Sequence, residues 1–186
     1  MNETKEFVIS IMSRDRVGIV YEVSKTISDL KGNIADVRQS VLCGYFTMIL
    51  LASFPPEIDQ KVIEQKLAEG NSESGTTFEV AVKGVKAAAL KSPATMPDLT
   101  YVLTATGTDQ IGLVATVSEF CSLHNMNILD LSTTVSDGAY VMILLVDLSH
   151  CAISDVRRDL EAFTQKSGLK VVLQHHDIFR AVNEVN

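Results

Sequence analysis

Two short stretches of the chain could do the same chemistry. Arg14-Asp-Arg-Val-Gly-Ile-Val20 and Thr108-Asp-Gln-Ile-Gly-Leu-Val114 each set an aspartate three residues ahead of a glycine, with an aliphatic pair directly after it. Apolar residues then recur at helical spacing, so each glycine stands at a helix start. A helix N-terminus offers unpaired N–H groups and the positive end of its dipole. A carboxylate or phosphate can dock there, and Gly18 and Gly112 leave room for close approach. Asp15 and Asp109 stand where they can cap the helix or accept from an ammonium group. A zwitterionic amino acid carries both charges and suits such a site. The plainer alternative stays open at this point: an aspartate before a helix is an ordinary cap, and glycine in a turn is ordinary too.

The other dense cluster is His175-His176-Asp177. Read as part of a strand, its neighbours point to opposite faces, so His175 and His176 do not readily chelate one metal. His175 and Asp177 share a face and give at most two ligands. His124 falls in a helical pattern and His150 near the start of a later helix; neither joins a cluster. Acylphosphatases share the element order derived below, but no Gly-rich loop with a matching Arg fills the first turn. No catalytic group, metal or cofactor is expected.

The totals narrow the partners. A net charge of −7 in 186 residues disfavours nucleic acid and anionic lipid, and no basic cluster offsets it. Three cysteines, Cys43, Cys121 and Cys151, without CxxC spacing make a disulfide framework improbable and point to a reducing, cytoplasmic compartment. No run of 18 apolar residues predicts a membrane span. The polar start MNETKEF does not read as a signal peptide.

The elements that position the two turns are themselves duplicated. Shifted by 94 residues, much of the chain matches itself without a gap. Asp15 falls on Asp109, Gly18 on Gly112, Asn33-Ile34 on Asn127-Ile128, Asp36 on Asp130, and Met48-Ile-Leu-Leu51 on Met142-Ile-Leu-Leu145. Each copy predicts a strand (Phe7–Met12; Tyr101–Thr106), the turn, a helix, and a strand starting at Ile34 or Ile128. A hairpin follows at Cys43-Gly44 or Asp137-Gly138, then a third strand (Tyr45–Ser53; Ala139–Asp147). A second helix (Ile58–Glu69; Ser154–Lys166, with Ser154 as N-cap) and a fourth strand (Thr77–Val82; Leu169–Gln174) complete each copy. Lys31-Gly-Asn-Ile34 stops the first helix, Gly and Asn being the residues that accept a left-handed conformation.

The order is βαββαβ twice, an α+β fold of two ferredoxin-like domains, each an antiparallel sheet with helices on one face. The domains are expected at 1–84 and 99–186. The stretch 85–98, with two prolines, reads as a linker in which Ala87–Leu90 could form one helical turn. The third strands are almost continuously apolar, which predicts burial on both faces. The other domain or a second chain is then expected to cover the free face, the alternative being a strand with some exposed aliphatics.

Asp-x-x-Gly-[Ile/Leu]-Val, a helix, Asn-Ile and a hairpin in a βαββαβ frame resemble the ACT domain family, over both copies. Two such domains with no enzyme attached resemble the glycine cleavage system transcriptional repressors and their relatives, and the tail Gln174-His-His-Asp-Ile-Phe179 is similar to the closing strand of free-standing ACT proteins. The resemblance implies domains that pair through their sheets and bind amino acids at the interface. It places the contacts at Asp15, Gly18, Ile19, Asn33 and Asp36, with Asp109, Gly112, Leu113, Asn127 and Asp130. It further implies a homodimer, glycine or serine as first ligands to test, a transcriptional activator as protein partner, and no direct nucleic-acid contact. The chain departs from the family in having Val17 and Ile111 where proline is frequent, which predicts a looser turn, and Gln110 where a basic residue is common. A different class of function, a ligand-free dimerisation or scaffold module, fits the same elements. RRM domains also share the order; Cys43-Gly44-Tyr45-Phe46 is faintly similar to their third-strand motif, but the first strands lack the paired stacking aromatics.

Overall fold

The computed structural model describes residues 4–69, 77–85, 96–136 and 138–183. The chain divides into two compact units, Met1–Pro93 and Ala94–Asn186. Unit 1 runs β1 (Lys5–Arg14), α1 (Ile19–Asp29), β2 (Asn33–Leu42), β3 (Tyr45–Phe54), α2 (Gln60–Glu69), β4 (Glu79–Gly84). Unit 2 repeats this as β5 (Thr100–Thr108), α3 (Leu113–Leu123), β6 (Asn127–Ser136), β7 (Ala139–Asp147), α4 (Ile153–Ser167), β8 (Lys170–His175), and adds α5 (His176–Asn183). The strand orders are β2-β3-β1-β4 and β6-β7-β5-β8, antiparallel throughout. This is the expected βαββαβ fold, twice.

Alternation decides which face is core. In β1, Phe7, Ile9 and Ile11 are buried, and in β3 so are Phe46, Met48, Leu50, Ala52 and Phe54. Register places Ile9 opposite Leu50 and Ile11 opposite Met48, so all of them share the face on which α1 and α2 lay Ile19, Val23, Ile27, Ile63 and Leu67. Unit 2 repeats the arrangement with Leu103, Ala105, Met142, Leu144, Val117, Cys121 and Val156. Full burial of one such aliphatic side chain contributes about 1.5–3 kcal/mol.

Several local expectations are corrected. β1, β2, β3 and β5 extend a residue or more past the expected bounds, because a ladder continues wherever backbone partners exist, and β4 and β8 start later than expected, at Glu79 and Lys170. The third strand of unit 1 is not buried on both faces: β3 alternates, leaving Ile49 49% and Tyr45 42% exposed, whereas β7 has no exposed position. The left-handed residue that ends α1 is Lys31 (φ 57), with Asn125 (φ 56) in unit 2. Gly32 N donates to Ile27 O and Lys31 N to Ser28 O, and Met126 N to Cys121 O and Asn125 N to Ser122 O. This is the paired-bond Schellman stop. Gly32 serves close packing instead: a Cβ there would lie 2.5 Å from the Phe54 ring. Asp59 Oδ1 accepts from Val62 N, so α2 starts at Gln60. Ser154 lies inside the first turn of α4, whose N-cap is Ala152.

The tail is not a closing strand. Pairing with β5 ends at His175, and His176 begins α5. The expected helical turn at Ala87–Leu90 lies outside the described residues.

Candidate functional site

Gly18 and Gly112 are the N-cap residues of α1 and α3, with φ of +98° and +91°. That conformation costs an L-residue about 1–2 kcal/mol, so backbone geometry alone accounts for both glycines. No side chain caps either helix, which corrects the capping role considered for Asp15 and Asp109. The Asp15 main-chain N–H instead donates to Gly44 O of the β2–β3 hairpin. Without proline, Val17 and Ile111 stand almost fully in solvent. Ile19 and Leu113 are buried in their cores, so what they can offer a ligand is backbone N–H.

The two turns differ in charge. In unit 1, Arg16 forks onto Glu22, Nη1 to Oε1 at 2.7 Å and Nη2 to Oε2 at 2.6 Å, with its guanidinium 6.0 Å from the Phe78 ring centroid. These bonds hold the Glu22 carboxyl below its ordinary range and raise the Arg16 guanidinium. In unit 2 the equivalent positions are Gln110 and Thr116. There a hollow of about 430 Å³ opens beside the turn between α3 and α4, with Gln110, Leu113, Thr116 and Phe163 among its walls. The Arg16–Glu22 fork was not read from the sequence; its six-residue separation spans a turn and a helix start, outside the usual helical pair spacings.

The expected site residues do not gather within one unit. Arg14, next to Asp15, pairs with Tyr45 at one end of the sheet, while Asn33 pairs with Ser53 at the other. Val8 and Leu51 share a row with Asp36, so Asp15 lies seven residues along β1 from it, about 23 Å. Unit 2 repeats the separation between Asp109 and the pair Asn127 and Asp130.

Asp36 and Asp130 also face away from the helices. In β2 the register skips between Ile34 and Asp36, and in β6 between Ile128 and Asp130. One extra residue reverses the face on which all following side chains point. Without these bulges both aspartates would point to the helix side.

The helix-free faces of the two sheets differ. In unit 1 a groove of about 630 Å³ crosses all four strands, with Ser10, Met12, Arg38, Ile49 and Glu79 along it. In unit 2, α5 lies over the corresponding face and leaves a cavity of about 190 Å³ lined by Asp130 and residues of α5. In unit 2 part of the cover on this face is α5, a helix of the same unit. The signal was present as His176, Phe179 and Arg180 at helical spacing.

Among the remaining candidates, the Asp177 main-chain N–H donates to His175 Nδ1 at 3.3 Å, a local contact where strand becomes helix. Among the described residues no group of three or more His, Cys, Asp or Glu could hold a metal ion, and no helix is long and apolar enough to cross a membrane. Burial pushes the Cys121 thiol up to about 11, so at neutral pH it packs as a small apolar side chain. On the helix-free faces of β1, β3, β5 and β7 the single aromatic is Tyr45, with Arg14 4.3 Å above its ring. Phe46 points into the core, and Tyr140 packs against the core of unit 2.

Comparison with known proteins bears on the family and the fold. A UPF0237 protein of Methanocaldococcus jannaschii is 35% identical over 86 residues, covering 45% of this chain and 96% of its own. One from Methanopyrus kandleri is 38% identical over 86 residues, with the same coverage of 45% and 96%. Among solved structures, a protein from Galdieria sulphuraria matches with a TM-score of 0.73 and 26% identity, over 93% of this chain and 99% of its own. A candidate glycine cleavage system transcriptional repressor matches with a TM-score of 0.69 over 92% of this chain and 96% of its own; its 19% identity shows a shared fold. The ACT domain family model matches residues 5–81 and again 100–174, and the chain belongs to that family twice over.

Proposed function

We propose that this chain is a non-enzymatic regulator that binds an amino acid or a similar small ligand and signals through protein contact. The observation that carries the reading is the split of each unit's expected contacts. Asp15, Gly18 and the N–H groups at Ile19 stand at one end of a sheet, and Asn33 and Asp36 at the other. Such half-sites are useful where the first end of one ACT domain meets the second end of another. The same holds for Asp109, Gly112 and Leu113 with Asn127 and Asp130. We take the domains as 1–84 and 99–186, joined by 85–98, acting as a cytoplasmic homodimer.

A ligand bridging two domains favours one arrangement by its differential affinity for that arrangement. That arrangement then offers or hides a surface for a protein partner. The fold likeness to a candidate glycine cleavage repressor supports glycine or serine as the ligand and a transcriptional activator as the partner, without nucleic-acid contact. One observation favours a second reading, a ligand-free scaffold: positive φ explains Gly18 and Gly112 without any ligand.

Isothermal titration against glycine and serine separates the two. The sensor gives saturable heat that Asp15→Asn and Asp109→Asn together weaken about tenfold, roughly 1.4 kcal/mol, with unchanged circular dichroism. A folded protein silent to the common amino acids is the scaffold.

A further inference from the structure

We propose that the hollow between α3 and α4 of unit 2 is a binding site for an uncharged, flat aromatic molecule of one or two rings. The inference is independent of the amino-acid reading above, which sets its ligand against the turns and the starts of the second strands.

The two copies treat this flank of the first helix differently. In unit 1 it is polar and occupied. Arg16 forks onto Glu22, the Phe78 ring lies 6.0 Å from that guanidinium, and Lys25 pairs with Asp29 at 2.6 Å. In unit 2 Arg16, Glu22, Thr26 and Asp29 are replaced by Gln110, Thr116, Phe120 and Leu123. Register makes Leu169 the counterpart of Phe78, because Met12 pairs with Glu79 and Thr106 with Lys170. Leu169 also lies down on the sheet. A Cβ on Gly107 would stand 2.5 Å from Leu169 Cδ2, so this leucine takes the place that the buried Ser13 side chain fills in unit 1. An ion pair and an aromatic ring are thus exchanged for smaller, uncharged groups, and these groups line a hollow of about 430 Å³.

The walls define what fits. Leu113, Phe120 and Leu169 are buried walls of the hollow. The Phe163 ring stands 4.7 Å from the Phe120 ring, centroid to centroid. Rings attract one another at such spacings, and a further ring can join the pair. Two apolar residues of the same hollow remain in water: Ile111 is fully exposed and Leu123 is 77% exposed. An apolar occupant removes that surface from water. The charged residues among the walls are Glu119 and Lys166, one of each sign, so the rim selects neither an anion nor a cation. Gln110, Thr116 and Ser167 offer hydrogen-bonding groups to one polar edge of a ligand. About 430 Å³ is well above the ~150 Å³ that holds benzene and within the ~300–1,000 Å³ of small-molecule pockets.

The test is chemical-shift mapping on the full chain, titrated with indole as the neutral probe and with indole-3-acetate and tryptamine as its charged counterparts. We expect saturable indole shifts at Leu113, Thr116, Phe120, Phe163 and Leu169. Gln110→Arg together with Thr116→Glu rebuilds the unit 1 fork beside the hollow. Leu123→Asp restores the unit 1 residue at an exposed position, where folding is not at stake. Each should weaken indole binding about tenfold with unchanged circular dichroism, and both charged compounds should bind more weakly than indole. Four results overturn the proposal. Indole shifts that do not saturate, or that lie elsewhere, remove the site. Unchanged affinity in the folded variants removes it as well. Tighter binding of either charged compound removes the neutral class. Shifts at the same residues on raising the protein concentration without probe give the hollow to a second copy of the chain. The glycine and serine titration bears on the sensor reading and not on this site.

Discussion

At the turn after β1, a single residue pair makes the two copies unequal. The Arg16 and Glu22 side chains are 23% and 29% exposed, so their fork contributes about 0.5–1 kcal/mol, as partly exposed pairs do. Because Arg16 lowers the carboxyl's folded-state value, this contribution is complete above the ordinary carboxylate value of 4.5. It is lost as pH falls through the lowered one. The raised Arg16 value acts only in strong alkali. Glu22→Gln should therefore lower urea stability at pH 7 by roughly 0.5–1 kcal/mol, with the gap closing as pH falls below the ordinary carboxylate value of 4.5. Thr116→Ala at the equivalent position has no ion pair to lose and gives no such pH-dependent gap. The fork was hidden from the sequence because nothing in Arg-x-x-x-x-x-Glu fixes how a turn folds back on its helix.

Element by element, stops and bulges do the positioning. The helix stop at Lys31-Gly32 brings β2 back under α1, with Gly32 against Phe54 and Ile27. An added Cβ would lie 2.5 Å from one and 2.8 Å from the other, and Phe54 is fully buried. Gly32→Ala should therefore cost about 1–3 kcal/mol through overpacking, measured by denaturant unfolding. In unit 2 the same place holds Met126, buried in its core, so the copies reach one stop with opposite packing. The duplicated Asn-Ile showed where the second strands begin. The bulges after Ile34 and Ile128 were not legible there, because an extra residue in a strand has no residue-type signature. They decide whether Asp36 and Asp130 face the helices or the open sheet.

At the scale of the molecule, each unit has its own closed set of core residues, one built on Ile9, Val23 and Leu50, the other on Leu103, Val117 and Leu144. Damage to one core should therefore stay in one unit. In calorimetry, Gly32→Ala should separate a lower transition from an unshifted one. Leu144→Ala, with about 2–5 kcal/mol lost to a core truncation, should displace the other. A single transition moved as a whole by either change would show the units coupled. The units also differ in what covers the helix-free sheet face, and in unit 2 that cover is the chain's last described helix.

The sequence by itself determined the duplication, the βαββαβ order, the helix-facing core and the ACT family resemblance. The first three rest on periodicity and repetition, which a linear chain displays directly, and the resemblance rests on the Asp-x-x-Gly and Asn-Ile motifs set in that frame. Tertiary structure alone decided that Asp15 and Asp36 stand at opposite ends of one sheet. It decided that a bulge turns Asp36 and Asp130 outward, and that His176, Phe179 and Arg180 roof the second sheet instead of extending it. Those outcomes depend on strand register and on which backbone partners remain free, and neither is written in residue type. Gly18 and Gly112 belong to both scales: the repeat marked them, and their positive φ showed why each is glycine.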